Sequence, residues 1–356
     1  MDERKLCLIT FSNNADHQNV VYSMFNALKD KADVYTVGIQ NPKSSIAPHT
    51  ERNFYFDCPL RPGIEKGTFR FSILREIART IKKENIRYLY FESMHIWNAF
   101  LMLLCPQCVK IVAVHDVIPH DGNKAMTLCN YVTCHMAHHI LLRNYMFKDT
   151  LSQKYHINAK KITCFELWRY YPEEKPVVYN QSFLCFGRIR KYKGLDLLEE
   201  IVAKTPQAMY KIVGDPDEES AEIVKRLKTY SNVDMIDREV TDQEMEDFFF
   251  NSDWIILPYS SATQSGVITD ACKFSRPVIA FNVGAISEQV EDGKTGFLIP
   301  AGDPDQFAEK IRTVSRFTRE ETQLFAHNAY TFGYEKYAAE AVADRFLEAV
   351  YSSYQK

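Results

Sequence analysis

The sequence predicts an α/β protein made of two doubly wound, Rossmann-like domains, and three observations carry that prediction. At 356 residues the chain is too long for one ordinary core and suits two domains of roughly 150–200 residues each. Short apolar runs alternate with longer amphipathic stretches, the pattern of parallel strands covered by helices on both faces. The alternation breaks once, between residues 162 and 179. There Tyr171-Pro172-Glu173-Glu174-Lys175-Pro176 places two prolines in a polar stretch, as a linker does.

Each element follows from its own spacing. Residues 5–11 read as a buried strand, and residues 18–31 as a helix presenting Val21, Met24, Phe25 and Leu28. A second strand covers residues 34–37. Residues 72–83 put Ile73, Leu74, Ile77 and Ile81 on one helical face, and residues 87–91, 109–114 and 139–142 are further strands. Past the break, strands are expected over residues 183–186, 208–213, 233–236, 254–257, 278–280 and 296–299, with helices between them. Residues 337–354 close the chain as a helix with an apolar face through Ala341, Phe346, Ala349 and Val350.

Composition excludes several classes. The chain is 46% hydrophobic and 25% charged, so it folds, and 13 glycines are too few for a fibrous repeat. Its longest apolar run, residues 99–105, falls far short of the ~18–20 residues that span a bilayer. The opening Met-Asp-Glu-Arg-Lys is not a signal peptide, and nine irregularly spaced cysteines do not make a disulfide framework. A cytoplasmic protein is expected. Residues 1–175 hold 23 Lys/Arg against 17 Asp/Glu, whereas residues 176–356 hold 20 against 29. The basic half suits an anionic partner, either a phosphorylated ligand or a membrane surface. Arg70, Arg75, Arg79, Lys82, Lys83 and Arg87 give residues 68–87 a basic face that could rest on anionic headgroups or simply be solvated.

Two segments point to phosphate chemistry. In Phe183-Leu-Cys-Phe-Gly-Arg-Ile-Arg-Lys-Tyr-Lys-Gly194 a buried strand ends at Gly187, and Arg188, Arg190, Lys191 and Lys193 follow before a helix begins near Leu195. Ligands of open α/β sheets bind at the carboxyl ends of strands, and clustered cations there suit phosphate oxygens. In Leu257-Pro-Tyr-Ser-Ser-Ala-Thr-Gln-Ser-Gly266 small hydroxyl residues lead into a helix, whose first amides favour an anion. Other patterns are decoys. Cys105-Pro-Gln-Cys108 and Cys134-His135…His138-His139 lack the spacing of a standard zinc site and read as core, while Asp215-Pro-Asp217 and Asp303-Pro-Asp305 read as turns. No G-x-G-x-x-G follows the first strand, which argues against a nicotinamide dehydrogenase.

The ordered series Gly187-Arg188…Lys193-Gly194, Ile212-Val-Gly-Asp215, Ser252-Asp-Trp-Ile-Ile-Leu-Pro-Tyr259, Arg276-Pro-Val-Ile-Ala280 and Gly284-Ala-Ile-Ser-Glu288…Pro300 resembles the retaining GT-B glycosyltransferases of family 4. The resemblance is strong from about residue 183 to residue 311 and weaker before it. It implies two facing domains with the active site in the cleft between them. Residues 1–172 would bind the acceptor and residues 173–335 the nucleotide sugar, while residues 336–356 return to the first domain. Arg188 and Lys193 would clamp the donor diphosphate without a metal, and no other cofactor is implied. Gly187 and the backbone of Ser265, Gly266 and Val267 would line the same site. Asp270 takes the place of the second glutamate of the family's Glu-x7-Glu motif, and Ala262 replaces the first, leaving Thr263 and Gln264 as substitutes toward the donor sugar. His115 matches the histidine at a strand end near the reacting sugar, with Asp116 and His120 beside it in the cleft.

By the same resemblance the partners are a nucleotide-sugar donor and a glycan or lipid-linked acceptor, with no nucleic acid. The protein would stand peripherally at the inner face of the membrane. Two rivals stay open: a GT-B sugar-nucleotide epimerase, and a degenerate nucleotide-binding regulator, which the loss of the glutamate at Ala262 favours slightly.

Overall fold

A computed structural model describes residues 4–59, 66–115, 117, 124–143, 145–262 and 265–352. The chain divides into two compact units, residues 1–170 with 337–356, and residues 171–336.

The first unit runs β1 (Leu6–Ile9), α1 (Ala15–Leu28), β2 (Val34–Ile39), β3 (Asn53–Phe56), α2 (Phe71–Lys83), β4 (Tyr88–Phe91), α3 (Ile96–Leu104), β5 (Val109–Val114), α4 (Lys124–Met136), β6 (His139–Leu142), α5 (Lys148–Tyr155) and β7 (Ile162–Cys164). Its seven strands lie parallel in the order β3-β2-β1-β4-β5-β6-β7. Alternate residues of one strand feed opposite faces: Leu6 and Leu8 join one core cluster, Cys7 and Ile9 the other. Burial on both faces is why these strands read as continuous apolar runs.

The second unit runs β8 (Ser182–Phe186), α6 (Leu195–Lys204), β9 (Met209–Val213), α7 (Ala221–Leu227), β10 (Val233–Ile236), α8 (Asp242–Phe250), β11 (Trp254–Leu257), α9 (Gly266–Lys273), β12 (Val278–Phe281), β13 (Gly296–Ile299), α10 (Pro304–Val314) and α11 (Arg319–Tyr337). Its six parallel strands take the order β10-β9-β8-β11-β12-β13. A capping box at Thr241 and Glu244 starts α8, and Asp303 caps α10 ahead of Pro304. The Asp303-Pro-Asp305 sequence is therefore a helix start rather than the turn expected.

The final helix, α12 (Ala339–Ser352), belongs to the first unit, where Phe346 packs edge-on against Tyr90 and Trp168 with ring centroids 5.2 and 5.0 Å apart. Its buried face includes Val342, Ala343, Phe346 and Val350, with Ala349 packed partly against the core, so the expected face holds except at Ala341, which is exposed. Alanine is small enough to be tolerated on either face, which is why Ala341 alone misled the pattern. Periodicity also missed β3 and β7, the two edge strands. Residues 162–164 fall within the break in the pattern, because a three-residue edge strand carries too little alternation to register.

Candidate functional site

Each sheet has a topological switch point, β1/β4 in the first unit and β8/β11 in the second, where strand order reverses and a crevice opens at the carboxyl ends. In the second unit the chain leaves β8 through Gly187, whose φ of +102° suits glycine alone. A Cβ there would lie 2.8 Å from Lys193 Nζ and 3.6 Å from Val267 Cγ2, so three distant residues converge on one spot. Lys193 is buried. Its Nζ donates to the Tyr259 hydroxyl at 3.0 Å and to the Phe186 carbonyl at 3.4 Å. Burial pushes this ammonium below its ordinary pKa, and the charges of Arg188 and Arg190 add to that, so an anion beside it would be welcome.

Gly194 holds the same loop against the next one. Its φ is +68°, and a Cβ would fall 1.9 Å from the carbonyl oxygen of Pro258, in the segment after β11. The two arginines of the loop part ways. Arg190 folds back to the Ile189 and Asp215 carbonyls at 2.6 and 2.9 Å and to Asp217 at 3.6 Å, which makes it a brace. Arg188 is exposed and makes no ion pair among the described residues.

At the start of α9, Ser265 is the N-cap residue but its side chain makes no capping hydrogen bond. Its N–H is already donated to Gln289 Oε1 at 2.8 Å. The expected role of Ser265 as a backbone donor is corrected accordingly, leaving the N–H groups of Gly266 and Val267 to meet an anion, aided by the helix dipole. Asp270 stands half-buried one turn further in. Thr263 and Gln264 lie outside the described residues.

At the switch point of the first unit, three polar residues each stand immediately after an apolar strand: Glu92 after β4, His115 after β5 and Arg143 after β6. Glu92 and Arg143 are buried, with Arg143 Nη2 2.5 Å from Glu92 Oε2 and the Tyr90 hydroxyl donating to the same oxygen. Burial alone would raise the Glu92 carboxyl, but Arg143 and then His115 outweigh it and hold the pKa at about 2. His115 Nε2 lies 2.7 Å from Glu92 Oε1 and 3.1 Å from the Glu92 carbonyl oxygen. The ring of His17, from the first turns of α1, meets the His115 ring edge-on at 5.0 Å. Burial first, then His115, lowers the His17 pKa to about 4, so His17 is neutral at pH 7.

Of the residues expected in this unit, His115 sits in the cluster, while Asp116 and His120 lie outside the described residues. Glu92, Arg143 and His17 were missed. The signal was present, since the first polar residue after each apolar strand marks a carboxyl end. His17, Glu92 and His115 bring ligand atoms within 4.8 Å of one another, a spacing a metal ion could use. Arg143 already supplies the carboxylate's counter-charge, so the donor set suits a divalent cation poorly. The cysteine–histidine decoys are structural: Cys105, Cys108 and Cys134 are buried in the core, His138 Nδ1 accepts from Lys110 N, and His139 pairs with Thr163.

Residues 180–316 match the family described as glycosyl transferases, group 1. That match is to a glycosyl transferase domain and covers 137 of the chain's 356 residues. That domain runs from β8 through α10 and contains Gly187, Arg188, Lys193 and the start of α9. The sulfoquinovosyl transferase of Arabidopsis thaliana is 28% identical over 173 residues, covering 44% of this chain and 32% of that protein. A D-inositol 3-phosphate glycosyltransferase of Streptomyces bingchenggensis is 29% identical, covering 47% of this chain and 40% of its own length. The chain thus spans about a third to two fifths of these relatives. An uncharacterized glycosyltransferase of Methanocaldococcus jannaschii is 24% identical over 69% of this chain and 76% of its own.

Among solved structures, the Anabaena protein HepE in complex with UDP superposes with a TM-score of 0.72 at 15% identity, covering 98% of this chain and all of that one. The sucrose-phosphate synthase of Thermosynechococcus elongatus gives the same TM-score and identity over 98% of both chains. The group 1 domain and the unit that precedes it therefore share the GT-B fold.

Proposed function

We propose that this protein is a retaining glycosyltransferase that moves a sugar from a nucleoside diphosphate donor to a glycan or lipid-linked acceptor. Bacterial surface-polysaccharide or glycolipid synthesis is its setting. The convergence of Gly187, Lys193 and Val267 at the second switch point carries this reading: a buried ammonium, a side-chain-free strand end and uncapped helix amides make one diphosphate site. As the sugar C1–O bond breaks, negative charge builds on the departing diphosphate. Lys193 and the Gly266 and Val267 amides stand at that site, Arg188 closes on it from the exposed loop, and together they lower the barrier without a metal. The acceptor hydroxyl bonds to C1 on the face the diphosphate leaves, and its proton passes to an oxygen of that diphosphate. Asp270 accepts hydrogen bonds from the donor's ribose hydroxyls, and Thr263 and Gln264 take over sugar recognition where Ala262 replaces a glutamate. HepE was solved with UDP and glucose, which makes UDP the first nucleotide to try.

The first unit holds the acceptor, with His115 as its reacting-side histidine. Exposed Phe69, Phe71, Leu103 and Leu104 beside the basic face of α2 support peripheral contact with anionic lipid from the cytoplasmic side. No helix among the described residues is long and apolar enough to cross a membrane.

The test is a thermal shift with nucleoside diphosphates and their sugars in the presence of chelator. Ligand at a hundred times its dissociation constant stabilises the folded state by about 2.7 kcal/mol. A metal-independent rise in Tm with one base, lost in Lys193→Ala, is expected. No shift with any nucleotide overturns the donor site and moves the reading to a regulator that has lost it.

A further inference from the structure

We propose that Glu92 is a positioning residue, which keeps the proton of His115 on Nε2 and so leaves Nδ1 as a hydrogen-bond acceptor for a hydroxyl of bound substrate. The part concerning substrate rests on the glycosyl-transfer reading; the part concerning the proton does not. Nε2 faces two oxygens of one residue, the Glu92 carboxylate Oε1 at 2.7 Å and the Glu92 carbonyl at 3.1 Å. A lone pair on that nitrogen would meet two acceptors and be repelled, so the proton resides there. Nδ1 has no hydrogen-bond partner among the described residues.

The carboxylate is not free to turn away. Its other oxygen is taken by Arg143 at 2.5 Å and by the Tyr90 hydroxyl, and Arg143 is itself held over the Trp168 ring at 4.1 Å and bonded to the Glu166 carbonyl at 3.1 Å. His17 closes one side of the His115 ring edge-on. Burying such an ion pair adds little stability compared with apolar side chains of the same size, so its use is better sought in what it fixes. What it fixes is Oε1, which apart from the imidazole has no partner among the described residues.

Side-chain 15N–1H spectra of the full-length protein test this directly, with the His115 signals assigned by their loss in His115→Asn. A single tautomer protonated at Nε2 is expected in the wild type. In Glu92→Gln, whose amide can donate to Nε2, the form protonated at Nδ1 should gain population. Because that substitution strands the Arg143 charge, Glu92→Gln/Arg143→Met serves as a second variant that removes the pair together. A wild-type ring protonated at Nδ1, or a tautomer unchanged in both variants, overturns the proposal.

The kinetic arm uses UDP-glucose, or whichever nucleotide sugar of the panel is turned over. His115→Asn and Glu92→Gln should each lower kcat by about a hundredfold, and His115→Asn/Glu92→Gln should be no worse than His115→Asn alone, since one residue acts through the other. Losses that multiply would show that Glu92 acts elsewhere. If the Nε2 signature is present but no nucleotide sugar is turned over, the glycosyl-transfer reading fails while the positioning of His115 stands.

Discussion

Lys193 and Gly194 sit side by side, and their requirements are opposite. Lys193 keeps a charge in a buried place, at a desolvation cost that its hydrogen bond to Tyr259 only partly offsets. Gly194 carries no chemistry, yet a methyl group there would strike the Pro258 carbonyl and force a left-handed backbone on a side-chain residue. Gly194→Ala should therefore destabilise the second unit by more than the ~1–2 kcal/mol of the backbone conformation alone, read as a lower denaturation midpoint. It should also weaken nucleotide binding through the displaced loop. A wild-type midpoint would mean that the two loops do not touch.

His95 makes a second residue-level prediction. It is buried, and its Nδ1 accepts the Trp97 N–H at 3.1 Å, which requires an unprotonated nitrogen. Burial lowers its pKa to about 4, as it does for His17. Between the ordinary value near 6.5 and about 4, the unfolded chain binds protons that the folded chain refuses. Stability therefore falls as pH drops through that window, by up to roughly 3 kcal/mol for each such histidine. Glu92, held at about 2, adds its own loss only below the ordinary carboxylate value near 4.5. Tm should drop between pH 7 and pH 5, and His95→Asn, which keeps an acceptor for Trp97 but does not titrate, should flatten part of that drop. A pH-independent Tm above pH 5 would contradict both histidine assignments.

At the scale of elements, α2 combines a buried apolar face with an exposed basic one. Leu74, Ile77 and Ile81 bury one face of α2, while Arg75, Arg79, Lys82 and Lys83 are exposed on the other. That much is an ordinary amphipathic helix. The addition is apolar exposure nearby: Phe69 is 66% exposed and Leu103, on α3, 67% exposed. Side chains of this kind beside clustered cations suit a lipid interface. Cosedimentation with phosphatidylglycerol vesicles, but not with phosphatidylcholine, is the expected result. It should weaken in Phe69→Glu/Leu103→Glu and with added salt. Equal binding to both lipids, or none, would leave α2 as a solvated covering helix.

For the whole molecule, α12 matters more than its position at the chain end suggests. Phe346 is fully buried among Tyr90, Phe165 and Trp168, and Tyr90 donates to Glu92. The last helix thus packs behind the charged cluster of the first unit. Phe346→Ala should cost about 3–5 kcal/mol and destabilise the first unit, leaving the Tm shift from nucleotide on the second unit in place. Limited proteolysis with and without UDP would separate the two. Loss of the nucleotide effect in this variant would show that the units do not respond independently.

Much of this architecture was legible in the chain. A strand buried on both faces is almost wholly apolar, so β1, β11 and β12 announce themselves locally, and a loop that must meet phosphate concentrates cations and glycine, as residues 187–194 do. The second switch point could therefore be read because its parts follow one another within β8–α6 and β11–α9. The first was read only at His115. His115 could be named from the family pattern, but Glu92 and Arg143 follow other strands and His17 lies in α1, and each of these alone is an unremarked polar residue. Only the order β1-β4-β5-β6 brings those strand ends side by side. Strand order is set by long-range packing, which leaves no local periodicity, and so the sequence determined the elements and the phosphate-facing loops while tertiary structure decided which charged groups meet.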